Sequence, residues 1–410
     1  MENKKKDISF FSLCILLLLS LISCSDADNA FAGKKPKVVN PEIKGVLSYT
    51  IFNAGDNYVN TYRIPSICVT NKGSILVFCE ARYSTWMDKA GRADIVMKRS
   101  TDKGRSWSGM KNLTELGLYD TRTYMDPTVV VDRNSGKIFL FTSLWDAMNK
   151  PSNQKGGANR AILLMSDDDG ITWKRRDITD EVIIPNIEGF IGIIGTFGPG
   201  TGVQMRNEKY KDRLIIPVRL FKKDLEKGTV SNGGNTALYS DDNGETWKVG
   251  EPGESGEWTV AEAPDGALIG NIRHSGYRKK YISINGGEQW FDAGNYTPFE
   301  LPTPPKGCAA GIAVKDNLLF YCGAKGVKAE DGHDDRGVLY LAKTGLEGYK
   351  HEFDGTYIQL HDKAAGYACL AFLDDGVAVI AEVGDDKGFS TNAMRKAGWM
   401  RIGLFLLFKE

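Results

Sequence analysis

Ser100-Thr101-Asp102-Lys103-Gly104-Arg105-Ser106-Trp107 recurs as Ser166-Asp167-Asp168-Asp169-Gly170-Ile171-Thr172-Trp173 and again as Ser240-Asp241-Asp242-Asn243-Gly244-Glu245-Thr246-Trp247. A fourth copy, Ser283-Ile284-Asn285-Gly286-Gly287-Glu288-Gln289-Trp290, has decayed at two positions. Ser and Asp side chains hold a tight turn by bonding nearby backbone N–H groups. Gly supplies positive φ, and Trp packs the turn back onto its sheet. The copies begin at residues 100, 166, 240 and 283, a mean spacing of about 61 residues that marks a repeat architecture. A four-stranded blade with long loops needs about that length. Divided by it, the chain beyond its leader predicts a six-bladed β-propeller of four-stranded antiparallel blades, an all-β fold.

Other stretches agree. Val46–Phe52, Ser74–Phe78, Ile138–Phe141 and Val377–Ile380 are rich in β-branched and aromatic residues, the composition of strands. Asn71-Lys72-Gly73, Asn134-Ser135-Gly136, Pro264-Asp265-Gly266 and Asp374-Asp375-Gly376 supply the turns between such runs. Lys343–Tyr349 is a candidate eroded copy of the repeated turn. Ile402–Phe408 reads as a terminal strand, and Val46–Phe52 is its candidate partner. Pairing the two would close the ring and remove exposed edges.

The first stretch lies outside this fold. Lys4, Lys5 and Lys6 precede an apolar run from Ile8 to Ile22, which is short for a bilayer span. Leu21-Ile22-Ser23-Cys24 resembles a lipobox, the signal for cleavage before a lipid-bearing cysteine. The alternatives are an ordinary signal peptide or a short membrane anchor. The division expected is a lipoprotein signal over 1–24 with lipid on Cys24, a polar tether over 25–41, and the propeller over 42–410. The acidic stretch Ser25–Asn29 resembles the surface-export signal of Bacteroidota lipoproteins. An exported lipoprotein of the bacterial outer membrane is therefore expected, facing the periplasm or the surface. Its one contact with the membrane would be the N-terminal lipid.

Composition narrows the partners. Lys plus Arg and Asp plus Glu both total 52, so no basic surplus argues for nucleic acid. Five cysteines follow Cys24: Cys68, Cys79, Cys308, Cys322 and Cys369. Their spacing has no metal pattern. Buried free thiols are the expectation, with a Cys68–Cys79 bridge as the alternative. Four histidines make a His-rich metal site unexpected.

The chemistry is concentrated before the first repeat and near the end. Tyr62-Arg63-Ile64-Pro65 leads into an apolar strand, and Glu80-Ala81-Arg82 ends the next. Asp88 follows in a loop before Asp94-Ile95-Val96-Met97-Lys98-Arg99-Ser100. Arg-Ile-Pro followed by repeated boxes of the kind quoted above resembles the bacterial sialidases, over essentially the whole chain from Val46. The resemblance implies cleavage of terminal sialic acid from glycoproteins, glycolipids or oligosaccharides, without metal or organic cofactor. A monomer is expected.

It also implies roles. Arg63, Arg273 (in Gly270-Asn271-Ile272-Arg273) and Arg336 (in Asp334-Asp335-Arg336-Gly337) would clamp the substrate carboxylate, which planar guanidinium forks match. Tyr367 would be the nucleophile, one of the exceptions to the usual carboxylate pair. A phenol, neutral until activated, is not repelled by the substrate's own carboxylate. Its ordinary pKa of about 10 requires a base. Glu257 fits that role, with Glu254 and Glu262 as nearby competitors. Asp88 would be the acid/base residue, with Asp94 as the alternative. Glu382 would hold Arg63, while Arg82 and Asp126 would bind the 4-hydroxyl. Trp86, Trp145 and Phe197 are candidates for the N-acetyl or glycerol pocket or, equally, for the core. A trans-sialidase would use the same groups, whereas a non-catalytic glycan-binding propeller would have no use for all six principal ones. The decayed fourth box and the loose surroundings of Arg336 depart from the family pattern.

Overall fold

The computed structural model describes residues 38–39, 46–146, 159–187, 190–224, 226–227, 229–297, 300–328, 334–385 and 400–408. Among them the regular structure is β, apart from two short 3-10 turns at Asp56–Tyr58 and Glu208–Tyr210. The strands are arranged like the blades of a propeller. Leu268–Arg273, for example, pairs antiparallel with Trp258–Glu262 on one side and with Arg278–Ser283 on the other, and Phe291–Tyr296 completes a four-stranded sheet.

The six separate four-stranded sheets expected from the repeat spacing are not what the hydrogen bonds draw. Five sheets form, of nine, six, five, four and four strands. The nine-stranded one arises because Ala93, at the start of Ala93–Ser100, meets Thr123, at the start of Thr123–Val131, in a parallel contact. That contact fuses two antiparallel groups. Extra edge segments enlarge two other sheets, including Val38–Val39 beside Tyr357–Ile358. Part of the expected tether therefore adds to a sheet. Cys24 and the leader over 1–24 lie outside the described residues.

Stacked sheets need apolar residues on both faces, and the sequence supplies them. Every residue of Ile75–Arg82 is buried. Ile75, Val77 and Cys79 face one apolar layer, with Ile380, Ile402 and Leu404. Leu76 and Phe78 face the next, with Ile95, Val129 and Leu140. Cys68 belongs to that second layer and Cys79 to the first, so the pleat points them to opposite sides of their sheet. All five described cysteines are buried free thiols.

The repeated turns share one geometry. In the first, the Gly104 N–H donates to Ser100 Oγ at 2.8 Å, the Ser106 N–H to Asp102 Oδ1 at 2.8 Å, and Trp107 Nε1 to the Gly104 carbonyl at 3.1 Å. The decayed fourth copy keeps all three bonds, at 2.9, 3.0 and 3.1 Å, because Asn285 Oδ1 accepts where Asp would. Gly104 has φ +83° and a Cβ there would strike Leu406 of the neighbouring sheet, so only Gly fits. Trp173 packs edge-on to Phe78, and Trp247 edge-on to Phe141 at 4.8 Å. Lys343–Tyr349 differs: its turn closes through reciprocal backbone bonds between Glu347 and Lys350.

The expected closing pair forms. Val46–Asn53 pairs antiparallel with Arg401–Phe408, which pairs in turn with Gly376–Val383.

Candidate active site

The expected site residues sit at one end of the strands. Arg63 lies near the start of Thr61–Val69, Asp126 near the start of Thr123–Val131, and Tyr367 near the start of Ala365–Leu373. Asp126 and Tyr367 fall inside a register shift of their antiparallel pairs, Met125 to Thr128 and Ala365 to Ala368, and Arg63 borders one, Arg63 to Ser66. Such bulges re-aim side chains. Ile64 and Asp126 have φ of +55° and +57°. A β-branched residue rarely adopts that conformation, so the bulge at Ile64 is strained. Pro65 and Pro127 follow, where the broken ladder tolerates a residue without an N–H.

Glu382 ties two of these bulges together. It is buried and accepts from Arg63 Nε at 3.0 Å, from the Ile64 N–H at 2.9 Å and from the Tyr367 N–H at 3.2 Å. Gly366 makes this possible, because a Cβ there would collide with the Glu382 carboxylate.

Tyr367 occupies the centre. Its hydroxyl donates to Glu257 Oε1 at 2.6 Å and accepts from Arg273 Nη1 at 2.8 Å. Arg273 Nη1 also donates to Glu257 Oε2 at 2.6 Å. The guanidinium carbons of Arg63, Arg336 and Arg273 lie 5.4, 5.6 and 5.9 Å from the Tyr367 ring centre. Burial, then the charge of Glu257, pushes the Tyr367 phenol well above its ordinary value, with the three arginines opposing. The phenol is therefore neutral in the free protein. Burial would also raise Glu257, but Arg273 and the bond from Tyr367 outweigh it and hold the carboxyl below its ordinary value. An ionised acceptor thus sits on a protonated phenol, the arrangement a base-assisted nucleophile needs.

Asp88 projects from the loop between Ile75–Arg82 and Ala93–Ser100, with its carboxyl 67% exposed. Oδ1 lies 2.7 Å from Arg82 Nη1 and 3.5 Å from Arg63 Nη1. Desolvation in the loop would raise its pKa, but Arg82 and then Arg63 bring it below the usual value. Asp126 is pushed well above its ordinary value by burial and by Glu80, Glu257 and Asp88.

The competing residues are engaged elsewhere. Asp94 is fully buried and takes Arg92, the Thr114 hydroxyl and the Leu116 N–H. Glu254 pairs with Lys279. Glu262 caps the Arg206 and Asn207 N–H groups at the far end of its strand. Phe197 is fully buried against Phe141 at 5.4 Å, so it is core. The Trp86 carbonyl accepts from Arg82. A cavity of about 710 Å³ opens at the opposite end of the strands, among Arg206, Glu262, Lys315 and Asp374, away from Tyr367.

Sequence reasoning missed Glu80. It is buried, accepts from Arg82 Nε at 2.8 Å, and accepts the Asp126 N–H at 2.8 Å across two strand groups. The available signal was its i, i+2 placement on the same face as Arg82.

Comparison with known proteins fits this geometry. The BNR repeat-like domain family model matches residues 64–299, more than half of the chain. The chain is 30% identical to a sialidase of Clostridium perfringens over 358 residues, covering 81% of this chain and 89% of that one. In fold it resembles the Hadza microbial sialidase Hz136, with a TM-score of 0.69, 23% identity, and coverage of 88% and 68% of the two chains. It also resembles the intramolecular trans-sialidase from Ruminococcus gnavus solved with oseltamivir carboxylate, with a TM-score of 0.67, 16% identity, and coverage of 87% and 97%. The chain belongs to the sialidase family. It is a glycoside hydrolase, an exo-α-sialidase.

Proposed function

We propose that this protein is a retaining exo-α-sialidase with Tyr367 as its nucleophile. Arg63, Arg273 and Arg336 clamp the carboxylate of a terminal sialic acid. Tyr367 Oη attacks the anomeric carbon as its proton passes to Glu257, and Asp88 gives its proton to the leaving oxygen. Water, deprotonated by Asp88, then displaces Tyr367 from the sialyl-enzyme, and Glu257 returns the proton to the phenolate. The developing positive charge is stabilised by the clamped carboxylate. Glu382 keeps Arg63 in place, and Arg82 with Asp126 takes the 4-hydroxyl. The observation that carries this reading is the Tyr367 hydroxyl held between Glu257 and Arg273 inside a ring of three guanidiniums.

In the free protein Asp88 is an ionised partner of two arginines, whereas an acid must hold a proton. The substrate carboxylate, by occupying Arg63, removes one of those partners and brings a negative charge nearby. Both effects raise Asp88 towards the protonated form.

Counting the fused nine-stranded sheet as two blades makes six, and we read the four repeated turns as Asp boxes with a structural role. The lipid anchor at Cys24, the envelope location, the monomeric state and the sialylated glycoconjugate substrates belong to the same reading.

The test is turnover of a fluorogenic α-sialoside by the wild type and by Tyr367→Phe, with the first-formed product followed by proton NMR. A loss of about 100-fold or more and initial release of the α-anomer are expected. Turnover surviving the substitution, or release of the β-anomer first, would remove Tyr367 as nucleophile. A 2,7-anhydro product would show intramolecular transfer from the same groups.

A further inference from the structure

Lys89 follows Asp88 and has different partners. Its Nζ lies 4.0 Å from the centre of the Trp145 ring and 5.9 Å from that of Phe221. Trp145 ends the strand Ile138–Trp145, and Phe221 belongs to Leu214–Lys223. The tip of the Asp88 loop is thereby clasped onto two neighbouring strand groups. The backbone at Lys89 has φ +57°. A lysine holds that conformation only where other contacts repay it.

The rest of the loop is pinned as well. Arg82 Nη1 donates to the Trp86 carbonyl at 2.5 Å, the Tyr83 N–H to the Arg92 carbonyl at 3.2 Å, and the Thr123 hydroxyl to the Gly91 carbonyl at 2.7 Å. Between these pins two side chains hold the tip, Asp88 on the arginines and Lys89 on the aromatics. The charged groups acting on Lys89 are Asp126, Asp88 and Arg219, the last with its guanidinium 5.4 Å from the Phe221 ring. When a substrate carboxylate takes Arg63, Asp88 loses one of its two ion-pair partners. Lys89 keeps its own contact.

We propose that Lys89, seated on the Trp145 ring, is a positioning residue that holds the loop closed so that Asp88 delivers its proton to the leaving oxygen. The cation is attracted to the ring face, and the adjacent carboxylate is carried with it. This rests on Asp88 being the acid.

A leaving group's demand for a proton reads out that function. The galactose oxygen of 3′-sialyllactose must be protonated as it departs, whereas 4-nitrophenolate leaves largely unaided. For Lys89→Met, kcat/KM on 3′-sialyllactose should fall about 10-fold or more, and on the 4-nitrophenyl α-sialoside by less than about 3-fold. Lys89→Arg, which can also lie on the ring, should restore most of the loss. In a Trp145→Leu background, Lys89→Met should cost little more, because the clasp is already gone. Equal losses on both substrates, or none on either, would overturn the proposal. Asp88→Asn, measured in parallel, separates the two readings. If it shows the leaving-group signature and Lys89→Met does not, the clasp alone is wrong. If Asp88→Asn affects both substrates equally, the acid assignment fails and the clasp's purpose with it.

Discussion

Glu257 and Tyr367 exchange roles with a single proton, and their surroundings set which of them holds it. The depressed Glu257 pKa means that the carboxylate form persists as pH falls through the usual glutamate value of about 4.3. With an aryl sialoside, which relieves Asp88 of its duty, the acid limb of kcat/KM should therefore lie below that value; a limb above pH 5 would contradict the assignment. Glu257→Gln keeps the shape but cannot accept the proton, and kcat/KM should drop about 100-fold to 10,000-fold. Glu382 works differently, through Arg63. Glu382→Gln leaves that buried guanidinium without its full counter-charge, so KM should rise more than kcat falls, measured by steady-state kinetics on the same substrate. The nine side chains expected to form the site could be picked from the sequence because most lie in or beside a short recognisable string, Arg-Ile-Pro or Met-Asp-Pro among them, and Asp88 and Glu257 by their distance from one, whereas the surroundings of Arg336 are loose. Glu80 and Lys89 could not. Glu80 gains its meaning from a backbone N–H 46 residues away, and Lys89 from rings on two other strand groups. No local string encodes such partners.

At the level of strands and turns, position matters as much as residue type. Arg63, Asp126 and Tyr367 reach the centre from bulges, and the bulge at Tyr367 depends on Gly366. Gly366→Ala would push the Glu382 carboxylate off both the Tyr367 and Ile64 N–H groups. Activity should fall about 10-fold or more by fluorogenic assay, with the larger part in kcat because the nucleophile itself shifts. The repeated turns test burial. Trp247 is 4% exposed, against Phe139 and Phe141, so Trp247→Ala should cost about 3–5 kcal/mol. Trp107 is only half-buried, and its loss should cost less; denaturant unfolding of the two variants gives the comparison. Turn chemistry was legible because Ser, Asp, Gly and Trp act within eight residues. The number of sheets was less so. A spacing counts repeats, but the contact between Ala93 and Thr123, which fuses two groups, lies between segments 30 residues apart and leaves no mark on the spacing.

For the whole molecule, closure is the decisive event. The strand Arg401–Phe408 covers the edges of both Val46–Asn53 and Gly376–Val383. Deleting 401–410 would bare two edges at once and take Leu404 and Leu406 out of the apolar layer they share with Ile75 and Ile380. The truncated chain should lose its cooperative thermal transition, by calorimetry or circular dichroism, and partition into aggregates. The same arrangement has a temporal side. Arg63 and the glutamate that steadies it are separated by 319 positions, and that glutamate lies on the strand which the last segment completes. A ribosome releases the arginine long before its counter-charge exists. Catalytic competence should therefore arrive abruptly, once residues 401–408 have been made, so that a chain stalled or clipped short of that strand is inert towards sugar whatever else it has folded.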